Sequence, residues 1–103
     1  MGRTHFTELV ISLIKDIPAG RISTYGTIAA LAGNPRAARQ VARILHSCSS
    51  SASLPWHRVI NSQGKISMTG ADYARQKDLL VQEGIIFDKS DRIDLGKFLW
   101  SKW

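Results

Sequence analysis

Sulfur chemistry is scarce in this sequence: a single cysteine, Cys48, stands among 103 residues. It forms no intramolecular disulfide, and the three histidines, scattered at His5, His46 and His57, have no metal-ligand spacing. Neither a disulfide framework nor a structural zinc site is expected. Long apolar runs are also missing. The longest segments free of Asp, Glu, Lys and Arg, Ile22 to Pro35 and Ile44 to His57, are rich in small and polar residues. They fall short of the ~20 apolar residues of a membrane span. The start, Met1 to Phe6, lacks the apolar core of a secretory signal and carries Phe6 where a myristoylation motif has Ser or Thr. A soluble cytoplasmic protein is expected, nucleoid-associated if the source is bacterial. Acidic residues are missing from positions 17 to 70, where six basic ones stand (Arg21, Arg36, Arg39, Arg43, Arg58, Lys65), whereas residues 71 to 103 hold six of each sign. The net charge of +6 therefore belongs to the first two thirds of the chain. An acid-free stretch of this kind suits a polyanion, and nucleic acid is the commonest one; a basic solvated face is the bland alternative.

A hydrophobic fraction of 44% with 21% charged residues is that of an ordinary globular chain, and its length suits one domain, residues 1–103. Phe6, Leu9, Val10, Leu13, Ile14 and Ile17 recur at helical spacing after Thr4, a candidate cap, and Pro18 and Gly20 end the pattern. A short helix fits Tyr25 to Ala32, capped by Ser23 or Thr24 and stopped at Gly33. Asn34-Pro35 starts the next, over Pro35 to His46. That helix sets Ala38, Val41, Ala42 and Leu45 on one face and Arg36, Arg39, Gln40 and Arg43 on the other. Two short helices around a tight turn, the second with a basic face, predict a helix-turn-helix with a recognition helix. Ser47 to Ser53 is expected as a loop. Val59-Ile60 and Lys65-Ile66, flanking Asn61 to Gly64, predict a small β-hairpin, the wing of a winged helix-turn-helix. A last long helix is expected from Ala71 to Glu83, and Ile85 to Phe87, Leu95, Phe98, Leu99 and Trp100 are expected to pack back on the core. The fold expected is mainly α, with that hairpin.

Pro55-Trp56-His57-Arg58-Val59-Ile60, taken with Gly20 to Tyr25, Ala29 to Arg39 and Lys77 to Gly84, resembles the C-terminal domain of O6-alkylguanine-DNA alkyltransferases. The match runs from about Phe6 to Gly84, with four blocks in the family's order. The family flips an alkylated guanine out of DNA and passes the alkyl group to a cysteine thiolate in a Pro-Cys-His-Arg motif. Here that cysteine's place is taken by Trp56. An indole has no anionic form near neutral pH and cannot accept an alkyl group by in-line displacement. Tryptophan in this motif is similar to the alkyltransferase-like proteins, which recognise the lesion and direct it to nucleotide excision repair.

The resemblance implies a non-enzymatic, monomeric protein with no cofactor, no metal and no catalytic residue. Its partners would be double-stranded DNA containing O6-alkylguanine, met in the minor groove, and nucleotide excision repair proteins. It also implies residue roles. Arg39 matches the finger that fills the gap left by the flipped nucleotide, with Arg36, Ala38, Gln40 and Arg43 beside it on the DNA-binding helix. Tyr25 helps rotate the nucleotide and, with Trp56, His57, Arg58 and Glu83, belongs to the lesion pocket. His57 and Glu83 match the pair that activates the missing cysteine, and Arg58 the residue that holds the loop. Departures fall in the Ser-rich segment around Cys48 and at Ser67 to Ala71. Two rival readings are an alkyltransferase that uses Cys48 as a displaced acceptor and a sequence-specific regulator reading the major groove.

Overall fold

The computed structural model describes residues 5–48 and 53–101, so the expected cap at Thr4 lies outside the described residues. Helix α1, His5–Asp16, buries Val10, Ile11, Leu13 and Ile14, and Ile17 continues the same face beyond its end. Pro18 stops it, since proline disfavours helical backbone in the residue before it. Ser23–Thr24 form strand β1, and Thr24 then caps α2, Tyr25–Leu31: its Oγ1 accepts from the Thr27 amide at 3.1 Å. Gly33, at φ +97°, takes the left-handed turn that ends α2.

The next helix, α3, spans Ala38–Cys48 and thus starts a turn later than Asn34-Pro35 predicts. The Asn34 side chain accepts from the Arg36 amide at 3.2 Å, and the Ala37 amide bonds back to the Asn34 carbonyl at 3.0 Å. Asn34 to Ala37 is therefore a self-contained turn, in which Pro35 serves the bend rather than the helix start. The serine stretch expected as a loop begins as helix. Ser47 Oγ donates to the Arg43 carbonyl at 2.9 Å and so sits inside α3, while residues 49–52 lie outside the described residues.

Trp56–Arg58 make a single 3-10 turn that leads into strand β2, Val59–Ile60. β2 does not pair with Lys65-Ile66 in a hairpin; its partner is β1, in parallel, with Ser23 opposite Val59 and Thr24 opposite Ile60. The turn after β2 closes on itself, Asn61 Oδ1 accepting from the amides of Gln63 and Lys65 at 2.9 and 3.0 Å. Beyond it the chain turns to the C-terminal segment, where the Gly64 carbonyl accepts from the Ile93 amide at 2.8 Å. Long-range bonding to β1 and Ile93 overrides the local hairpin signal.

Successive strand residues point to opposite faces, and β2 divides two cores in this way. Val59 joins α1, α2, α3 and Leu54 in one cluster; Ile60 joins Ile22, Ile66, Leu80, Ile85, Ile93 and Phe98 in the other. Helix α4, Gly70–Gln82, brings Leu80 to the second core and ends one residue before the expected Glu83. A short α5, Leu95–Phe98, completes the chain's return, and the Ile22 amide donates to the Phe98 carbonyl at 3.0 Å. The tail packs back only in part. Phe98 is buried, but Leu99 contributes its backbone to a bridge with Ile22 while its side chain, like that of Ile86, stays exposed. Among the described residues, no helix is long and apolar enough to cross a membrane.

Candidate nucleic-acid interface

One face of α3 is closed to solvent by Val41, Ile44 and Leu45. The opposite face carries Arg39, Gln40 and Arg43, all exposed, with Arg36 exposed in the turn before it. Ala38 is half-buried at the start of the helix, where its small side chain lets another surface come close to Arg39. Three guanidiniums on one ridge, their backs anchored in the core, form a rigid cationic surface suited to phosphates.

Next to this ridge lies a small cavity of about 80 Å³, lined by Tyr25, Ala42, Leu45, His46, Trp56 and Met68. Pro55 leads into the 3-10 turn that presents Trp56, and both Trp56 and Tyr25 are half-buried against the first core. The Tyr25 hydroxyl lies 3.2 Å from Ser67 Oγ, which ties α2 to the segment before α4. Past Trp56 the surface opens into a groove of about 570 Å³, lined by His46, Ser53, Leu54, Trp56, Met68, Asp72 and Arg75.

His57, Arg58 and Glu83 line neither cavity; they form a brace behind the wall. His57 Nε2 is 2.8 Å from Glu83 Oε2, and Arg58 donates to both Glu83 oxygens, Nε to Oε1 at 2.9 Å and Nη2 to Oε2 at 2.6 Å. Arg58 Nη1 also donates to the Ile17 carbonyl at 2.9 Å. The Arg58 hydrogen bonds, opposed by desolvation and aided by His57, lower the Glu83 carboxyl to about 2. From α4, the buried Gln76 donates to the carbonyls of His57 and Val59 at 3.0 and 3.1 Å. The His57 ring meets the Trp56 indole edge-on, centroids 5.9 Å apart. These contacts fix where Trp56 can stand.

Sequence reasoning brought out Tyr25 and Trp56 but missed His46, Met68, Asp72, Arg75 and Gln76. His46 follows Ala42 at i+4 on α3, and Arg75 follows Asp72 at i+3 on α4, so each pair's shared face was legible, but not what it faced. Among the described residues, no three His, Cys, Asp or Glu side chains come together as metal ligands.

Residues 5–85 match the family described as 6-O-methylguanine DNA methyltransferase, DNA binding domain. Over 96 residues the chain is 45% identical to a DNA base-flipping protein of Escherichia coli (strain K12), covering 93% of this chain and 74% of that one. It is 37% identical to alkyltransferase-like protein 1 of Schizosaccharomyces pombe (strain 972), covering 97% of this chain and 98% of that protein. The crystal structure of S. pombe Atl1 in complex with damaged DNA containing O6-carboxymethylguanine superposes with a TM-score of 0.81 at 36% identity, over 98% of this chain and 99% of that one.

Proposed function

The chain belongs to the 6-O-methylguanine DNA methyltransferase DNA-binding-domain family, and from that premise we propose that it recognises O6-alkylguanine in double-stranded DNA without transferring the alkyl group. In this reading the arginine ridge of α3 meets the minor groove, Arg39 fills the stack, and the damaged base rotates out against Tyr25 and Trp56. The observation that carries the reading is that Trp56, which the motif resemblance sets at the family's acceptor position, lines the small cavity.

A flipped guanine needs an apolar or stacking surface, and Trp56 with Tyr25 supplies one. Alkylation at O6 removes the N1 proton and adds apolar bulk, so a pocket with apolar room gains more from the lesion than from guanine. Transfer would need a polarisable anion in line with the alkyl carbon, and an indole offers none. His57 and Glu83 then act as a brace: the carboxylate that would polarise the histidine is held by Arg58, and Trp56, not a thiol, precedes them. With the alkyl group left in place, the lesion still has to be excised. The complex is thus a damage marker for nucleotide excision repair, formed by a monomer.

The test incubates excess protein with a duplex carrying a labelled O6-alkyl group, then denatures it and counts label on protein and DNA separately, beside a Cys48→Ser variant. All label staying on guanine, after a lesion-dependent gel shift, is the expected result. Label moving to the wild-type protein and not to the variant would make the protein a transferase. A gel shift that depends on an operator sequence rather than on the lesion would make it a regulator.

A further inference from the structure

The small cavity and the large groove share His46, Trp56 and Met68, so an O6 substituent on a base seated in the cavity runs on into the groove. The groove's outer wall is α4, which presents Asp72 and Arg75 to it. The Arg75 guanidinium carbon lies 5.7 Å from the centroid of the Trp56 ring. At this distance the cation is attracted to the indole, and its N–H donors make no hydrogen bond among the described residues. Arg75 forms no ion pair among the described residues, and Glu83 and Asp91 are paired elsewhere, with His57 and Arg58 and with Lys77. Asp72, one turn earlier, sits in the first turn of α4, where the positive end of the helix dipole compensates its charge.

Resting on the assignment of the Tyr25–Trp56 cavity as the seat of the flipped base, we propose that the groove is the subsite for the distal end of the O6 substituent. Arg75 there selects substituents that end in a carboxylate. Among DNA phosphates a carboxylate is disfavoured against a neutral group of the same shape, so a preference for it demands a local cation. Arg75 is held at the groove by the indole that also walls the base cavity, with a fork of donors matched to a carboxylate. Asp72 opposes the same selection by its charge, and its removal therefore strengthens it.

The experiment measures the affinity of the full chain by fluorescence anisotropy, at one salt concentration, for four duplexes of one sequence. Their central base is guanine, O6-methylguanine, O6-carboxymethylguanine or its neutral isostere O6-carbamoylmethylguanine. The expected result is carboxymethyl binding about 3- to 10-fold tighter than carbamoylmethyl, in the range of charge-assisted hydrogen bonds at a partly exposed site. Arg75→Gln brings that ratio to about 1, Arg75→Lys keeps part of it, and Asp72→Asn widens it. Both residues are exposed, and neither substitution touches a core. A ratio at or below 1 in the wild type overturns the proposal. So does an unchanged ratio in Arg75→Gln with equal losses on all four duplexes, which makes Arg75 a phosphate contact. Preference for O6-methylguanine over guanine with no carboxylate preference sinks this proposal alone; no preference for any lesion sinks the function it rests on as well.

Discussion

Glu83 presents both carboxylate oxygens to Arg58, which takes Oε1 with Nε at 2.9 Å and Oε2 with Nη2 at 2.6 Å. Arg58 reaches on to the Ile17 carbonyl, so a single guanidinium joins the 3-10 turn, the end of α4 and the end of α1. Residues that the family resemblance assigns to activating a thiol are thereby committed to positioning the turn that carries Trp56.

The same pair makes stability depend on pH. The folded Glu83 carboxyl is lowered from 4.5 to about 2, chiefly by Arg58, so its contribution is fully present above pH 4.5 and is lost as pH falls toward 2. After allowance for solvent screening, the loss is about 1–2 kcal/mol. Urea denaturation at pH 7 and at pH 2.5 checks it. Glu83→Gln is expected to unfold about 2 kcal/mol more easily at pH 7, because it leaves Arg58 uncompensated, and to lose this part of the acid sensitivity.

Arg39→Ala is expected to lose discrimination between lesion and normal duplex as well as affinity, whereas Arg36→Ala and Arg43→Ala lose affinity alone. The gap in the base stack is a cost of the flipped state only, while phosphate contacts exist in both states. Equal lesion-to-normal ratios in the three variants would remove Arg39 from the finger role.

Salt dependence follows from which cations face outward. Arg58 is turned inward to Glu83 and Ile17, and Arg21, though exposed, is engaged at the C-terminal segment, its Nη1 donating to the Lys97 carbonyl at 2.6 Å. That leaves Arg36, Arg39, Arg43 and Lys65 of the acid-free stretch, and a log–log slope of affinity against salt of about −3 to −4. Anisotropy titrations across a salt series read it directly, and a flat response would remove DNA as the main partner.

Gly64→Ala is expected to destabilise the protein by about 2 kcal/mol or more, since the residue needs a left-handed backbone and has no space. Its φ is +79°, and an added Cβ would lie 2.6 Å from the Ile93 carbonyl oxygen. Thermal melting measures the loss. Gly33→Ala, at φ +97° but with open space around it, serves as the milder control.

What the chain determined by itself is what spacing and local chemistry decide. Apolar residues three and four apart place α1 and α4, Thr24 and Gly33 bound α2, and the arginines of α3 fall opposite its core face whatever the rest of the chain does. That position 56 carries an indole, which is no nucleophile, is likewise visible in the bare motif. Tertiary structure decided the rest, because it depends on groups far apart in sequence. Asn61 to Lys65 reads locally as a hairpin turn, yet β2 bonds to β1 because its two buried side chains have to serve two cores at once. Asn34-Pro35 reads as a helix start, yet the Asn34 side chain closes a turn instead. Nothing local announces that Gln76 will tie α4 to the carbonyls of the Trp56 turn, or that Arg75 will lie over the indole. Those contacts arise only when α4 packs against the 3-10 turn that carries Trp56, and they decide how the wall of the cavity and its charged rim are built.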